Sequence, residues 1–246
     1  PALGQPAEVE GRDVDARLAK QRAELPDETA LLGFCGAPWT LAAYLVEGRG
    51  RKDFPTLRAF AAAQPEALDK LLEKLSNLMV QYLINQARAG ADAVQIFDSW
   101  AGVLSLADWE RMVRPHLLTM LEALGNASIP RILFVQNAPH LVEHYAMLPA
   151  EVLGCDWRID LVGLHNEYQD RKALQGNIDP AILLGGAEPT RAATTELLRR
   201  VNPRGHIVNL GHGILPETPI ESVEAMIDVV HDEHNALKRE GHLSGA

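Results

Sequence analysis

Cysteine is nearly missing from this sequence: Cys35 and Cys155 are the only two in 246 residues. A pair so far apart excludes a disulfide-stapled scaffold. Both sit in apolar runs, as small buried hydrophobes in a reducing compartment do. Basic charge is also scarce, with 23 Lys and Arg against 33 Asp and Glu and a formal net charge of −10. Nucleic-acid binders carry basic stripes, and the one dense cluster here, Arg49-Gly50-Arg51-Lys52, reads as solvated loop surface. No apolar run approaches the roughly 18 residues that span a bilayer. Residues Pro1 to Arg12 show no basic-then-apolar leader pattern. These features predict a cytoplasmic protein that binds neither nucleic acid nor membrane.

The common chemical signatures are lacking too. There is no Walker loop, no Gly-x-Gly-x-x-Gly after a strand and no Gly-x-Ser-x-Gly elbow. Neither cysteine has a ligand-spaced partner, so no zinc signature exists. His231 and His234 lie on a charged helix face without the His-Glu-x-x-His spacing of a metal site.

What is present is a cadence. Short runs of nearly continuous apolar character recur at Ala30–Cys35, Ala93–Phe97, Arg131–Val135, Val152–Trp157, Ala173–Gly176 and His206–Leu210. Continuity without alternation marks strands buried on both faces. Between them lie helical patterns. Pro65 to Ala89 has an apolar stripe through Leu68, Leu72, Leu78 and Leu83, and Ala107 to Leu124 and Thr190 to Val201 repeat it. Ile220 to Lys238 closes the pattern as a helix whose expected inner face includes Ile220, Val223 and Ile227. Strand alternating with helix predicts a parallel α/β sheet with right-handed crossovers. With no Gly/Ser-rich linker and no shift in composition, residues 1–246 read as one domain. Six βα units are visible where a closed barrel has eight.

Ligands of parallel α/β folds meet the carboxyl ends of the strands, and those ends are polar here. The first strand runs into Gly36-Ala37-Pro38-Trp39-Thr40-Leu41, with Tyr44 about one helical turn further on. The second ends in Asp98-Ser99-Trp100, where a buried carboxylate and hydroxyl imply a polar network or a site. The later strands end in Gln136-Asn137, Asp156-Trp157-Arg158, Gly176-Asn177-Ile178-Asp179 and Asn209-Leu210-Gly211-His212-Gly213. His212, between two glycines in a turn, has few packing reasons to be there.

Four of these segments together resemble the uroporphyrinogen decarboxylase family: Gly33 through Gly48 (GFCGAPWTLAAYLVEG), Gln95–Trp100 (QIFDSW), Leu174–Pro180 (LQGNIDP) and Asn209–Pro216 (NLGHGILP). The resemblance runs from about residue 20 to the last helix. It implies a distorted (β/α)8 TIM barrel, and hence here an incomplete barrel of six parallel strands. It further implies a homodimer and a cofactor-free carboxy-lyase that converts uroporphyrinogen III to coproporphyrinogen III in haem biosynthesis, with no metal. The family's functional tyrosine falls on Tyr44, expected to be catalytic and substrate-binding; its serine or threonine falls on Ser99 and its histidine on His212, both expected to bind substrate. Two family segments, Arg-Gln-Ala-Gly-Arg-Tyr and Phe-Ser-Asp-Ile, have no counterpart in this chain, and both belong to the two N-terminal βα units. The second carries the aspartate that stabilises the cationic pyrrole intermediate. Asp98 does not replace it, matching a position where the family already has Asp or Glu. The chain alone is therefore expected to be inactive; the alternative is a non-catalytic remnant or interaction protein on the same scaffold. A corrinoid- and zinc-dependent methyltransferase of the same superfamily is disfavoured, because its His-x-Cys and later Cys ligands are absent.

Overall fold

Three of the six strands fall in each of two compact units, Pro1–Glu151 and Val152–Ala246. The computed structural model describes residues 11–48, 53–168 and 171–239. The Arg49–Lys52 cluster lies outside the described residues.

The first unit begins with α1 (Gly11–Glu24), β1 (Leu32–Gly36), α2 (Pro38–Glu47), α3 (Pro55–Ala63) and α4 (Pro65–Arg88). It continues with β2 (Ala93–Asp98), α5 (Leu106–Met112), α6 (Arg114–Asn126), β3 (Arg131–Val135) and α7 (Val142–Tyr145). β1 pairs parallel with β2, Leu32 opposite Ala93 and Gly36 opposite Phe97, and β2 pairs parallel with β3. Helix α4 covers one face of this sheet with a buried row of Leu68, Leu72, Ser76, Val80, Leu83 and Gln86. Leu78, expected in that row, is half exposed. α6 packs beside α4 and buries Leu117, Met120, Leu121 and Leu124.

The single helix expected over residues 107–124 is two. α5 stops at Met112 and α6 starts at Arg114, because Pro115 has no N–H to continue the ladder and fits only a first helical turn. Ser105 caps α5 by accepting from the N–H of Asp108 at 3.2 Å. α1 is held at the amino-terminal end of the strands by Arg22, whose guanidinium donates to the carbonyls of Pro26 and Thr29 and to Asp92.

β1 has an unusual neighbour. The Leu31 carbonyl and the Ala37 N–H both bond toward β2, so Phe34, of opposite parity, directs its backbone groups away from it. Both are taken by one side chain: Gln86 Oε1 accepts from the Phe34 N–H at 2.8 Å and Gln86 Nε2 donates to the Phe34 carbonyl at 3.1 Å. Gly33 makes this possible, since a Cβ there would stand 2.6 Å from Gln86 Oε1. On the other face, Phe34, Phe97 and Phe134 form an edge-on row with ring centroids 5.9 and 5.8 Å apart.

The second unit holds β4 (Val152–Gly154), α8 (Leu161–Tyr168), β5 (Ala173–Gln175), α9 (Pro180–Leu183), α10 (Ala187–Arg200), β6 (His206–Ile207) and α11 (Ile220–Arg239). β5 pairs parallel with both β4 and β6. β4 is shorter than the expected 152–157 because the Asp156 side chain turns the backbone, its Oδ1 accepting from the Arg158 N–H at 2.8 Å. β6 ends at Ile207, with a single further bridge between Ile178 and Leu210. The inner face of α11 is also rotated from expectation. Ser222 and Ala225 are buried, whereas Ile220 is 73% and Ile227 44% exposed. α11 packs on α10, whose buried residues are Thr190 and Thr194. Small side chains on both helices permit close approach, and the bulky isoleucines stay outside. Among the described residues no helix is long and apolar enough to cross a membrane.

Replacing Gln86 by Leu should leave the Phe34 N–H and carbonyl without partners. An unsatisfied buried polar group costs about 1–3 kcal/mol, so the urea midpoint of the Gln86→Leu chain is expected to fall accordingly. An unchanged midpoint would show that water replaces the amide at no cost.

Candidate functional site

In the first unit the polar residues gather where β1 and β2 end. Pro38 occupies the first turn of α2, where a missing N–H is harmless, and the turn is fastened to the exit of β2 by three bonds. The Ala37 N–H donates to the Phe97 carbonyl at 2.8 Å, Trp39 Nε1 to the Trp100 carbonyl at 3.3 Å, and Thr40 Oγ1 to Asp98 Oδ1 at 2.8 Å. Trp39, Thr40 and Asp98 are buried. Tyr44, one turn beyond Thr40, is half exposed, and its ring meets Trp100 edge-on, centroids 6.4 Å apart. Trp100 also packs against Phe54 at 4.8 Å. Glu47, at the end of α2, accepts from the N–H groups of Thr56 and Leu57 and from the Thr56 hydroxyl, so α2 and α3 are joined as well. Ser99 lies between Asp98 and Trp100, both of which bond to α2. Tyr44 and Ser99 therefore share one corner of this unit.

Asp98 is the strained member of that corner. Its carboxyl is pushed up to about 6, because burial disfavours the charge; the Thr40 hydroxyl and the N–H groups of Ala101 and Trp100 offset only part of this. Its second oxygen, Oδ2, has no hydrogen-bond partner.

In the second unit, Asn177 Nδ2 donates to the carbonyls of Asp156 and Ile159 at 2.8 and 2.9 Å, joining the exits of β4 and β5. The Gly211 N–H donates to the Ile178 carbonyl at 2.7 Å. Gly211 also lies against the backbone of Asp156 and Trp157 so closely that a Cβ would collide with it. His212 follows and is exposed. The Arg158 guanidinium lies 4.0 Å over the Trp157 ring and 3.6 Å from Asp156. Burial lowers the pKa of His206, partly offset by its 2.7 Å bond to the Gly176 carbonyl, and the neighbouring His165 adds to the lowering.

Thiol chemistry has no place in either unit. Burial pushes Cys35 and Cys155 up to about 12, with the Asp156 charge adding to the effect at Cys155. Among the described residues, no three His, Cys, Asp or Glu side chains cluster as metal ligands.

The polar network expected at Asp98 is present, but its partners Thr40 and Trp39 were passed over in the sequence. The only available signal was a hydroxyl two residues after the helix-starting Pro38, facing the first turn. The link between Trp100 and Phe54 left no signal, because it crosses a loop.

Parallel strands carrying polar groups at their carboxyl ends, with helices as crossovers, define an α/β protein of the TIM-barrel class. Solved structures agree. A methyltransferase from Methanosarcina mazei superposes with a TM-score of 0.78 at 20% identity, over 90% of this chain and 64% of that one. A B12-independent methionine synthase from Shewanella sp. W3-18-1 gives a TM-score of 0.62 at 12% identity, over 91% and 68%. Likeness at such identity speaks for the fold alone. Sequence is more specific: the model of the uroporphyrinogen decarboxylase (URO-D) family matches residues 15–233, and this chain belongs to that family. The uroporphyrinogen decarboxylase of Chloroflexus aggregans is 44% identical over 232 residues, covering 92% of this chain and 64% of the relative. That of Syntrophotalea carbinolica is 42% identical over 211 residues, covering 85% and 62%. The chain spans about six tenths of the length of these relatives.

The Asp98 carboxyl makes a checkable demand on stability. Because folding raises its pKa from 3.8 to about 6, its favourable contribution is complete below about pH 4 and is lost as pH rises through 6. Asp98→Asn should therefore match the parent near pH 4 and exceed it above pH 7, by about 2–3 kcal/mol. Urea melts at the two pH values measure this. Equal stability at pH 8 would mean the carboxylate is better solvated than its burial indicates.

Proposed function

We propose that this chain is the larger part of a uroporphyrinogen decarboxylase. Its six strands stand for six of eight βα units, with Tyr44 and Ser99 of the first unit and His212 of the second as substrate-binding residues. The observation that carries this reading is the family match over residues 15–233, together with the placement of Tyr44 in the helix after β1, Ser99 directly after β2 and His212 in the turn after β6. Loss of carbon dioxide from a pyrrole acetate needs an electron sink, which protonation of the ring supplies. The site must then stabilise a cation and hold the remaining carboxylates with polar donors. Tyr44, Ser99 and the His212 imidazole are donors of that kind. The working protein on this reading is a cytoplasmic homodimer that needs no cofactor and takes uroporphyrinogen to coproporphyrinogen.

The cation-stabilising carboxylate and its flanking arginines have no counterpart here. Removing one preorganised donor typically slows an enzyme about 10²–10³-fold, and here several are missing together. Assayed anaerobically with uroporphyrinogen III, the 246-residue chain should form coproporphyrinogen more than 10²–10³-fold more slowly than the full-length Chloroflexus aggregans relative. Turnover equal to that relative would show that the essential carboxylate lies within this chain.

A further inference from the structure

A buried carboxylate with one unpartnered oxygen is a poor structural link. Asp98 nevertheless sits between the helix that carries Tyr44 and the turn that carries Ser99. We propose that Asp98 is a positioning residue: by accepting from the Thr40 hydroxyl of α2 at the exit of β2, it fixes Tyr44 and Ser99 relative to one another. This rests on the reading of those two residues as parts of the substrate pocket.

The geometry is direct. Thr40 and Tyr44 are four residues apart on α2 and share a helix face. Asp98 has the strand parity of the buried Val94 and Ile96, so its side chain leaves the sheet on the helix side and meets Thr40 at 2.8 Å. Trp100 completes the loop: its carbonyl accepts from Trp39 Nε1, and its ring meets Tyr44 edge-on. The Thr40–Asp98 bond is the one of the three fastenings that joins two buried side chains, so its loss loosens α2 against the turn where Tyr44 meets Trp100.

The groups facing Asp98 are the Thr40 hydroxyl from α2 and two N–H groups from its own turn, and no charged side chain acts on its acidity. The charge is thus uncompensated. A neutral amide of the same shape would relieve the burial penalty and keep an acceptor for Thr40, so stability alone favours asparagine. A link whose charge weakens the fold but orients two pocket residues fits a positioning role.

The test uses the 246-residue chain labelled with 5-fluorotryptophan, which gives four ¹⁹F resonances, from Trp39, Trp100, Trp109 and Trp157; Trp100→Phe assigns the one of interest. Thr40→Val should shift and broaden the Trp100 resonance while leaving Trp109 and Trp157 in place, and Thr40→Ser should restore it. Between pH 5 and 8 the Trp100 resonance of the parent should move with a midpoint near 6, and that of Asp98→Asn should not. Binding of uroporphyrin I, followed by its own fluorescence, should weaken about tenfold in Thr40→Val but not in Thr40→Ser or Asp98→Asn, both of which keep the hydroxyl and its acceptor, within the range by which such coupling residues act. A Trp100 resonance that ignores Thr40→Val, or titrates unchanged in Asp98→Asn, overturns the proposal. If Asp98→Asn fails to fold, the two Thr40 variants decide it. A parent chain that binds no uroporphyrin I while Trp100 responds as expected overturns the reading of Tyr44 and Ser99 as pocket residues and leaves the link itself supported.

Discussion

From the bond between the Asp92 N–H and the Leu31 carbonyl to the bond between the Ala37 N–H and the Phe97 carbonyl, β1 is held in one register on β2. The polar corner where β1 and β2 end depends on that register. A slip of one residue would exchange the faces of every side chain, turning Asp98 away from α2 and laying Phe97 against the helices. Because the register holds, Cys35, Ile96 and Asp98 face the helical layer, and Phe34 and Phe97 face the opposite side. The helix that follows β1 is then launched directly over the end of β2.

Much of this architecture is legible in the chain. Continuous β-branched runs placed the strands within a few residues, because a strand buried on both faces has no polar positions to confuse the pattern. Helix α4 was equally plain, twenty-four residues with apolar spacing and a proline at its start. The departures come from competition by a local group or by a neighbouring helix. Pro115 divides what periodicity joins into α5 and α6, and the Asp156 side chain turns the backbone before β4 can lengthen. In α11, hydrophobicity pointed to Ile220 and Ile227, but contact with α10 favours the small Ser222 and Ala225. Apolar pattern reports what avoids water; it does not report which side chains are small enough to pack closely.

The proposed substrate-binding residues were legible in a different way. Tyr44, Ser99 and His212 follow β1, β2 and β6 within the stretch that the family model matches, and position along the chain suffices to propose them. Their supports are invisible in sequence. Thr40, Trp39 and Phe54 act through contacts that only the fold creates, and Asn177 matters because its amide spans two strand exits. A residue that touches the ligand is tied to a motif, whereas one that orients it is tied to geometry.

The amide of Gln86 has a further consequence, for encounters between molecules. An unoccupied strand edge is a template on which another chain can add a strand, and proteins guard such edges with charge, bulges or covering elements. Here the guard is a single side chain lying over a glycine, which occupies both backbone groups of Phe34 as a neighbouring strand would. An approaching segment must break both bonds before it can register on β1. Within the first unit, β1 therefore presents no free backbone group at Phe34 to an approaching strand.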